Sequence, residues 1–193
     1  EKKTHGIDVL PSQIVMNTGV VYGFYTLIDM LVKPQEKVIV QTPVYGPFFN
    51  TPKTLHREVV YNPLKHDESG WHMDVADFEA RLREDSSSRM FILCNPHNPS
   101  GQCHTMEELT QVINLCAKYD VWVVSDEIHS NIIMPKQTHI SALASNAKSD
   151  DHVIVLGSPT KTFNLAGLKI SYAIVKDAKL AEEFAATAKA SGL

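Results

Sequence analysis

Four short segments of nearly uninterrupted apolar residues constrain the fold of this chain more than any other feature. They are KVIVQ at 37–41, RMFILC at 89–94, VWVVS at 121–125 and HVIVL at 152–156. Each has the length of a strand and little polar alternation, which is typical of strands that are buried on both faces. Helical patterns lie between them, and alternating strands and helices favour a parallel sheet. The sequence therefore predicts an α/β fold, with a mainly parallel sheet flanked by helices.

The helices and the remaining strands are predicted from periodicity and capping signals. Apolar residues recur at helical spacing at 19–31, 74–83 and 177–189. Thr105 and Glu108 have the spacing of a capping box, so a further helix is expected to begin after Thr105. Additional strands are predicted at 55–61 and 169–175, and short loops at 63–70, 85–88 and 145–151.

Composition limits the classes of protein to which the chain can belong. The 193 residues are 44% hydrophobic, which is enough for one substantial core, so we expect a single domain over residues 1–193. There are 18 lysines and arginines against 22 acidic residues, a balance that argues against a nucleic-acid or membrane partner. No apolar run approaches the roughly 18 residues of a membrane span. The three cysteines are sparse and odd in number, which favours a reducing, cytoplasmic location over a disulfide framework.

Polar residues follow two of the predicted central strands, at the edge of a parallel sheet where ligands gather. The strand at 89–94 leads into NPHNPSG, whose Asn98 offers a directed amide, although a sturdy turn is the alternative. The strand at 121–125 leads into Asp126 and His129. A carboxylate so close to a buried strand needs a partner, which a structural ion pair could also supply. A metal site formed by Asp126, His129 and a distant histidine is poorly supported, because the chain has no HExxH or CxxC spacing.

Two further segments carry candidate binding groups. The strand at 152–156 leads into GSPTKTFN, where hydroxyls surround Lys161 in a tight turn that we expect to have limited solvent access. Such a lysine can form a Schiff base, whereas an exposed loop lysine is the alternative. Residues 17–21 (NTGVV) open a helix, and the free amides at a helix start can bind an anion.

Together these motifs resemble the pyridoxal-phosphate enzymes of fold type I, in the class I/II aminotransferase superfamily. The matching segments are TGVVYG at 18–23, TPVYGPF at 42–48, NPHNPSG at 95–101, SDEIHS at 125–130 and SPTKTFNLAGLK at 158–169. They cover nearly the whole chain in the expected order. SDEIH and SxxKTFN look like the cystathionine β-lyase-like branch, the C–S lyases. Asn131 departs from the aspartate that is usual in that branch, and Lys169 stands where many aminotransferases have an arginine.

The resemblance implies a role for each candidate residue. Lys161 would hold pyridoxal 5'-phosphate as an internal aldimine, Asp126 would face the ring nitrogen, and Tyr45 would stack on the ring; these three would be the catalytic residues. Asn98 would bind the phenolic oxygen of the ring, and His129 would lie near that oxygen and Asp126. The phosphate would be held by Val20, Val21, Ser158, Thr160 and Lys169. For Thr160 a purely structural turn hydroxyl, and for Lys169 a surface position, remain alternatives.

The resemblance also implies an amino-acid substrate and a homodimer. β-Elimination from cystathionine or a cysteine S-conjugate, giving thiol, pyruvate and ammonia, is preferred, and transamination by the same residues is the alternative. A nicotinamide dehydrogenase would need a GxGxxG motif, which the chain lacks. Because the superfamily extends beyond 193 residues on both sides of these motifs, we expect residues 1–193 to be the cofactor-binding large domain, without the small domain and N-terminal segment. A catalytically incomplete cofactor-binding or dimerisation fragment is a further alternative.

Overall fold

A computed structural model describes residues 5–190, and within this range the chain forms nine strands. They are β1 (Ile14–Asn17), β2 (Lys37–Thr42), β3 (Glu58–Pro63), β4 (Lys65–Asp67), β5 (Gly70–His72), β6 (Ser88–Cys94), β7 (Trp122–Asp126), β8 (Val153–Gly157) and β9 (Ser171–Val175). Seven of them form one sheet in the order β1–β9–β8–β7–β6–β2–β3, and β4 pairs with β5 as a separate hairpin.

Most of the large sheet is parallel, as the sequence predicts. The pairs β2–β3, β2–β6, β6–β7 and β7–β8 are parallel, whereas β9 is antiparallel to both β8 and β1. Because β1 and β8 both oppose β9, they run in the same direction. The carboxyl ends of β1, β2, β6, β7 and β8 therefore meet at one edge, together with the start of β9.

Five helices cover this sheet within the described residues. They are α1 (Val20–Leu31), α2 (Pro47–Thr54), α3 (Val75–Glu84), α4 (Met106–Lys118) and α5 (Ala178–Ala190). The predicted capping box opens α4: the amide of Glu108 donates to Thr105 Oγ1 at 3.1 Å, and the amide of Thr105 donates to Glu108 Oε2 at 2.8 Å. No helix among residues 5–190 is both long enough and apolar enough to cross a membrane.

The core lies on both faces of the sheet because the central strands are apolar on both sides. In β6, Met90 and Ile92 pack on the face covered by α1, α2 and α5, whereas Phe91 and Leu93 pack on the face covered by α3 and α4. This two-sided burial confirms the α/β fold and the mainly parallel sheet flanked by helices.

Several local predictions differ from the structure. The predicted strand at 55–61 lies at Glu58–Pro63, because α2 and its turn extend as far as residue 57. The predicted loop at 63–70 contains β4 and the first residue of β5. The predicted strand at 169–175 begins only at Ser171, because Lys169 adopts a left-handed conformation with φ 48°.

Candidate active site

A cavity of about 540 Å³ opens at the edge where the parallel strands end. The volume lies within the usual range for small-molecule sites, about 300 to 1,000 Å³. The structure brings all of the predicted site residues into its lining, although they come from six separate segments. They are Val20, Val21, Tyr45, Asn98, Asp126, His129, Ser158, Thr160, Lys161 and Lys169. The cavity therefore lies where the rule that ligands gather at the carboxyl ends of parallel strands predicts it.

Asp126, the last residue of β7, forms the buried acidic part of the cavity. The residue is only 7% exposed, and its Oδ1 accepts a hydrogen bond from the amide of Ile128 at 3.0 Å. Burial raises the pKa of Asp126 to about 7, while the amide of Ile128 and the charge of Lys161 act in the opposite direction. A cation placed against this carboxylate would therefore stabilise its ionised form.

Lys161 lies at the solvent-accessible side of the same cavity. The expectation that its turn has limited solvent access is wrong for the described chain. The backbone leaves the sheet after Gly157 and forms a short 3₁₀ turn at Ala166–Leu168, and residues 163–170 are all exposed. Two large apolar side chains lie in this segment, with Phe163 67% and Leu168 61% exposed.

The hydroxyls of Ser158 and Thr160 form a small buried network beside Lys161. Ser158 donates to the carbonyl of Ile170 at 2.6 Å and accepts from the amide of Thr160 at 3.1 Å. The two hydroxyl oxygens are 2.7 Å apart, so Thr160 donates to Ser158 once Ser158 has given its own proton to Ile170. The hydroxyl of Thr160 therefore has a structural role in the turn as well as a position in the cavity wall.

The start of α1 lines the same cavity as Ser158, Thr160 and Lys169. Gly19 precedes the helix with φ 92°, a conformation that side chains other than hydrogen rarely allow. The first turn contains no acidic residue, and the amides of Val20 and Val21 precede the first possible helical hydrogen bond. Together with the helix dipole, these amides can bind an anion.

Asn98 is held at the cavity by its backbone. Its amide donates to Sγ of Cys94 at 3.3 Å, and its carbonyl accepts from the amide of Tyr45 at 3.2 Å. The side-chain amide of Asn98 has no hydrogen-bond partner among residues 5–190. Tyr45 is 51% exposed above the cavity. His129 is half-buried, and its pKa is lowered by burial and by the nearby charge of Lys161.

Sequence reasoning missed several residues of this region. Cys94 lines the cavity as the last residue of β6, and burial raises the pKa of its thiol, so it stays protonated. Beyond the cavity wall, Glu127 Oε1 accepts from the hydroxyls of Ser125 and Ser141, and its Oε2 lies 3.1 Å from Nε2 of His139. The only sequence signal for Cys94 is its position at the end of a predicted central strand. The sequence gives no signal for the contacts of Glu127, because its partners lie up to 15 residues away, as the amide of Ala142 does. No set of three or more potential metal ligands is found among residues 5–190.

Comparison with known proteins identifies the family. The family model "Aminotransferase class I and II" matches residues 2–191 of this chain. The chain belongs to this family. It is 36% identical over 189 residues to "Cystathionine beta-lyase PatB" of Bacillus subtilis, covering 98% of the chain and 49% of that relative. A more distant relative in the same organism is "Aspartate aminotransferase", 24% identical over 172 residues, covering 89% of the chain and 43% of the relative.

Solved structures of this family share the fold. The PLP-bound C–S lyase from Staphylococcus hominis superposes with a TM-score of 0.90 at 31% identity, covering 95% of this chain and 46% of that one. The chain thus spans about half the length of the relatives that it matches. The superposition confirms that these residues have the architecture of the fold type I large domain.

Proposed function

We propose that this protein is a pyridoxal 5'-phosphate-dependent C–S β-lyase that acts on cystathionine or another cysteine S-conjugate. The observation that carries the proposal is that Asp126, a buried carboxylate of raised pKa, shares one cavity with Lys161. Similarity to the cystathionine beta-lyase of Bacillus subtilis and to the C–S lyase of Staphylococcus hominis supports the lyase chemistry. The motifs at 125–130 and 158–169 support the same branch.

The residues of the cavity fit a molecule that carries a phosphate and a basic ring nitrogen. At one end, the free amides at the start of α1 and the side chain of Lys169 can bind an anion. At the floor, Asp126 has one carboxylate oxygen that does not accept from Ile128, and it would be stabilised by a cationic ring nitrogen. The unpartnered amide of Asn98 is available to an oxygen of the ring.

When bound, pyridoxal 5'-phosphate supplies an electron-withdrawing ring that stabilises negative charge on the α-carbon of an amino acid. Asp126 would keep a proton on the ring nitrogen. Lys161 would hold the cofactor covalently through Nζ until the substrate amine displaces it. Asn98 would donate to the phenolic oxygen, Tyr45 would cover one face of the ring, and His129 would lie near this oxygen and Asp126.

Lys161 would also move the proton that the reaction requires. In the proposed β-elimination, Nζ of Lys161 takes the proton from Cα of the substrate. The Cβ–S bond then breaks, its electron pair leaves with sulfur, and the sulfur gains a proton to become a thiol. Hydrolysis of the remaining three-carbon fragment gives pyruvate and ammonia. Asp126 and Lys161 line the same cavity, so both groups can act on one bound molecule.

Reduction with borohydride tests the cofactor proposal directly. After addition of pyridoxal 5'-phosphate and borohydride, mass spectrometry should locate one stable adduct at Lys161. The matched control is Lys169→Ala, since Lys169 lines the same cavity and its loss should leave the adduct in place. Lys161→Ala should remove it. An adduct at Lys169, or no adduct in the unsubstituted protein, would show that the cofactor assignment is wrong.

Transamination is the second candidate function. The family to which the chain belongs and the Bacillus subtilis aspartate aminotransferase favour it, and the same residues could serve it if Lys161 returned the proton to the cofactor. Incubation of the complete natural protein with cystathionine separates the two reactions. The proposed lyase releases pyruvate and thiol without a keto acid. If the protein instead transfers the amino group to a keto acid and releases no thiol, the lyase proposal is wrong and the protein is a transaminase.

We further propose that residues 1–193 form the cofactor-binding large domain of a longer, cytoplasmic protein that acts as a homodimer. Phe163 and Leu168 are exposed apolar residues in the segment that follows Lys161, and a second subunit could cover them. The three cysteines are buried and unpaired, which supports a reducing location. Light scattering of the complete protein should give the mass of a dimer, and Leu168→Asp should weaken it. A dimer unaffected by that change would place the interface elsewhere.

A further inference from the structure

A buried amide supports the turn that opens α1. Asn17, the last residue of β1, is 6% exposed and does not line the cavity. Its Oδ1 accepts from the amide of Thr18 at 2.9 Å, and its Nδ2 donates to the carbonyl of Gly19 at 3.2 Å. One side chain thus fixes both a donor and an acceptor of the turn immediately before the helix.

These contacts determine which backbone groups remain for a ligand. The amide of Thr18 is already occupied, and the carbonyl of Gly19 accepts from Gly23 at 3.1 Å as well as from Asn17. With this carbonyl held on the helix side, it is kept from an anion bound at the helix start. The residues Val20 and Val21 line the cavity, and the helix leaves their amides unpaired.

Gly23 provides the space that Asn17 needs. A Cβ atom at Gly23 would lie 2.8 Å from Nδ2 of Asn17, which is closer than real Cβ atoms approach such an atom. It would also press on the Leu156 side chain at 3.1 Å. The amide of Asn17 therefore packs directly against the helix backbone at a position without a side chain, one turn beyond Gly19. The position of the amide and the absence of a side chain at Gly23 depend on each other.

We propose that Asn17 is a positioning residue for the cofactor phosphate: it holds the turn at Thr18 and Gly19 so that the amides of Val20 and Val21 point at the anion. This inference rests on the proposed function, because the anion is the phosphate of pyridoxal 5'-phosphate. The role requires a neutral side chain with both an acceptor and a donor, which asparagine supplies. An aspartate would keep the bond from Thr18 but would lose the donor to Gly19 and add a negative charge behind the anion site.

Comparison of pyridoxal 5'-phosphate with pyridoxal, which lacks the phosphate, isolates this role. In the complete natural protein, Asn17→Ala should weaken binding of the phosphorylated cofactor about fivefold, the effect of about one neutral hydrogen bond. Asn17→Asp should weaken it by about tenfold or more, because like charges are added. Binding of pyridoxal should change by less than about twofold in both variants, so the preference for the phosphorylated form falls.

Asn62→Ala is the matched control, because Asn62 is a fully buried amide near the end of β3 that does not line the cavity. It hydrogen-bonds Gln41 and Asp77, so its loss should lower stability without changing the preference. If Asn17→Ala does not fold, the same comparison is made with Asn17→Ser, which keeps an acceptor for the amide of Thr18. Circular dichroism and the melting temperature of each variant establish that it is folded.

A double-mutant cycle tests the contact with Gly23. Gly23→Ala should lower the preference for the phosphorylated form by displacing the Asn17 amide. In a protein that already carries Asn17→Ala, the same change at Gly23 should lower this preference little further. If the unsubstituted protein binds pyridoxal as well as it binds pyridoxal 5'-phosphate, the proposed phosphate site is wrong. If it prefers the phosphorylated form and the Asn17 variants keep that preference in full, the proposed function stands and the role of Asn17 is refuted.

Discussion

Replacement of Asp126 by asparagine should stabilise the cofactor-free protein while it removes the proposed partner of the ring nitrogen. Burial raises the pKa of this carboxyl to about 7 from its ordinary value of 3.8. Because the folded-state pKa lies above the unfolded one, ionisation destabilises the fold at every pH above about 4. The destabilisation grows as the pH rises and is complete above about pH 7. A shift of about three units corresponds to about 4 kcal/mol.

Asparagine would recover only part of this energy. Its Oδ1 can still accept from Ile128, but its buried amide protons would have no acceptor from the protein, at a cost of about 1 to 3 kcal/mol. The net expectation is a gain of about 2 kcal/mol at pH 8 and about zero at pH 5. For a chain of this size, each kcal/mol moves the melting temperature by about 2 to 4 °C. Asp126→Asn should therefore melt several degrees higher at pH 8.

Thermal unfolding of the cofactor-free protein between pH 5 and pH 8 measures this difference. Asp85→Asn is a control of opposite sign, because Lys37 and Ser87 lower the pKa of Asp85 to about 2. That control should lose stability by nearly the same amount at pH 5 and at pH 8, because the carboxyl of Asp85 is already ionised in both the folded and the unfolded chain above about pH 5. The reasoning is refuted if Asp126→Asn is less stable than the unsubstituted protein at pH 8, or if its advantage does not depend on pH.

Three further predictions concern other parts of the fold. Thr105→Ala removes the capping box of α4 and should cost about 1 kcal/mol in denaturant unfolding; an unchanged midpoint would contradict this. Burial lowers the pKa of His97 to about 3 and also lowers that of His104. Their neutral forms therefore stabilise the fold above about pH 6.5 and this contribution is lost as the pH falls, so His104→Phe should move the acid-unfolding midpoint to lower pH. Gly157→Ala would place a methyl group on the ring of Tyr172 and should destabilise by about 2 kcal/mol or more, as measured by melting temperature.

The central strands could be predicted because burial on both faces leaves a continuous apolar segment in the sequence. β6 shows this most plainly, since six of its seven residues are buried. The elements that were missed have other features. β1 is four residues long and alternates between exposed and buried positions, and the short helix α2 contains Pro52 and few apolar residues. Strand β4 has no buried residue at all, so its hairpin leaves no hydrophobic pattern to detect.

The position of the site residues could be predicted because the ends of parallel strands share one edge. Asp126 follows from this rule without any knowledge of the cavity. The exposure of Lys161 could not be predicted, because it depends on whether another part of the fold covers the segment after Thr160. The contact from Asn98 to Cys94 likewise depends on how the NPHNPSG loop folds back onto the strand before it.

Four of the strands that end at this edge, β1, β6, β7 and β8, do more than carry the loops, because the last residue of each is buried and lies at or next to the site. Asn17 fixes the turn before α1, Cys94 accepts from the amide of Asn98, and Asp126 faces the cavity itself. Gly157 leaves room for the ring of Tyr172 beneath the Ser158 turn. These groups belong to the hydrogen-bonded sheet, so they cannot move independently of it. Loops that differ in sequence are therefore all anchored to the same rigid edge of the sheet. Such anchoring holds the side chains of a site in fixed relative positions, as catalysis requires.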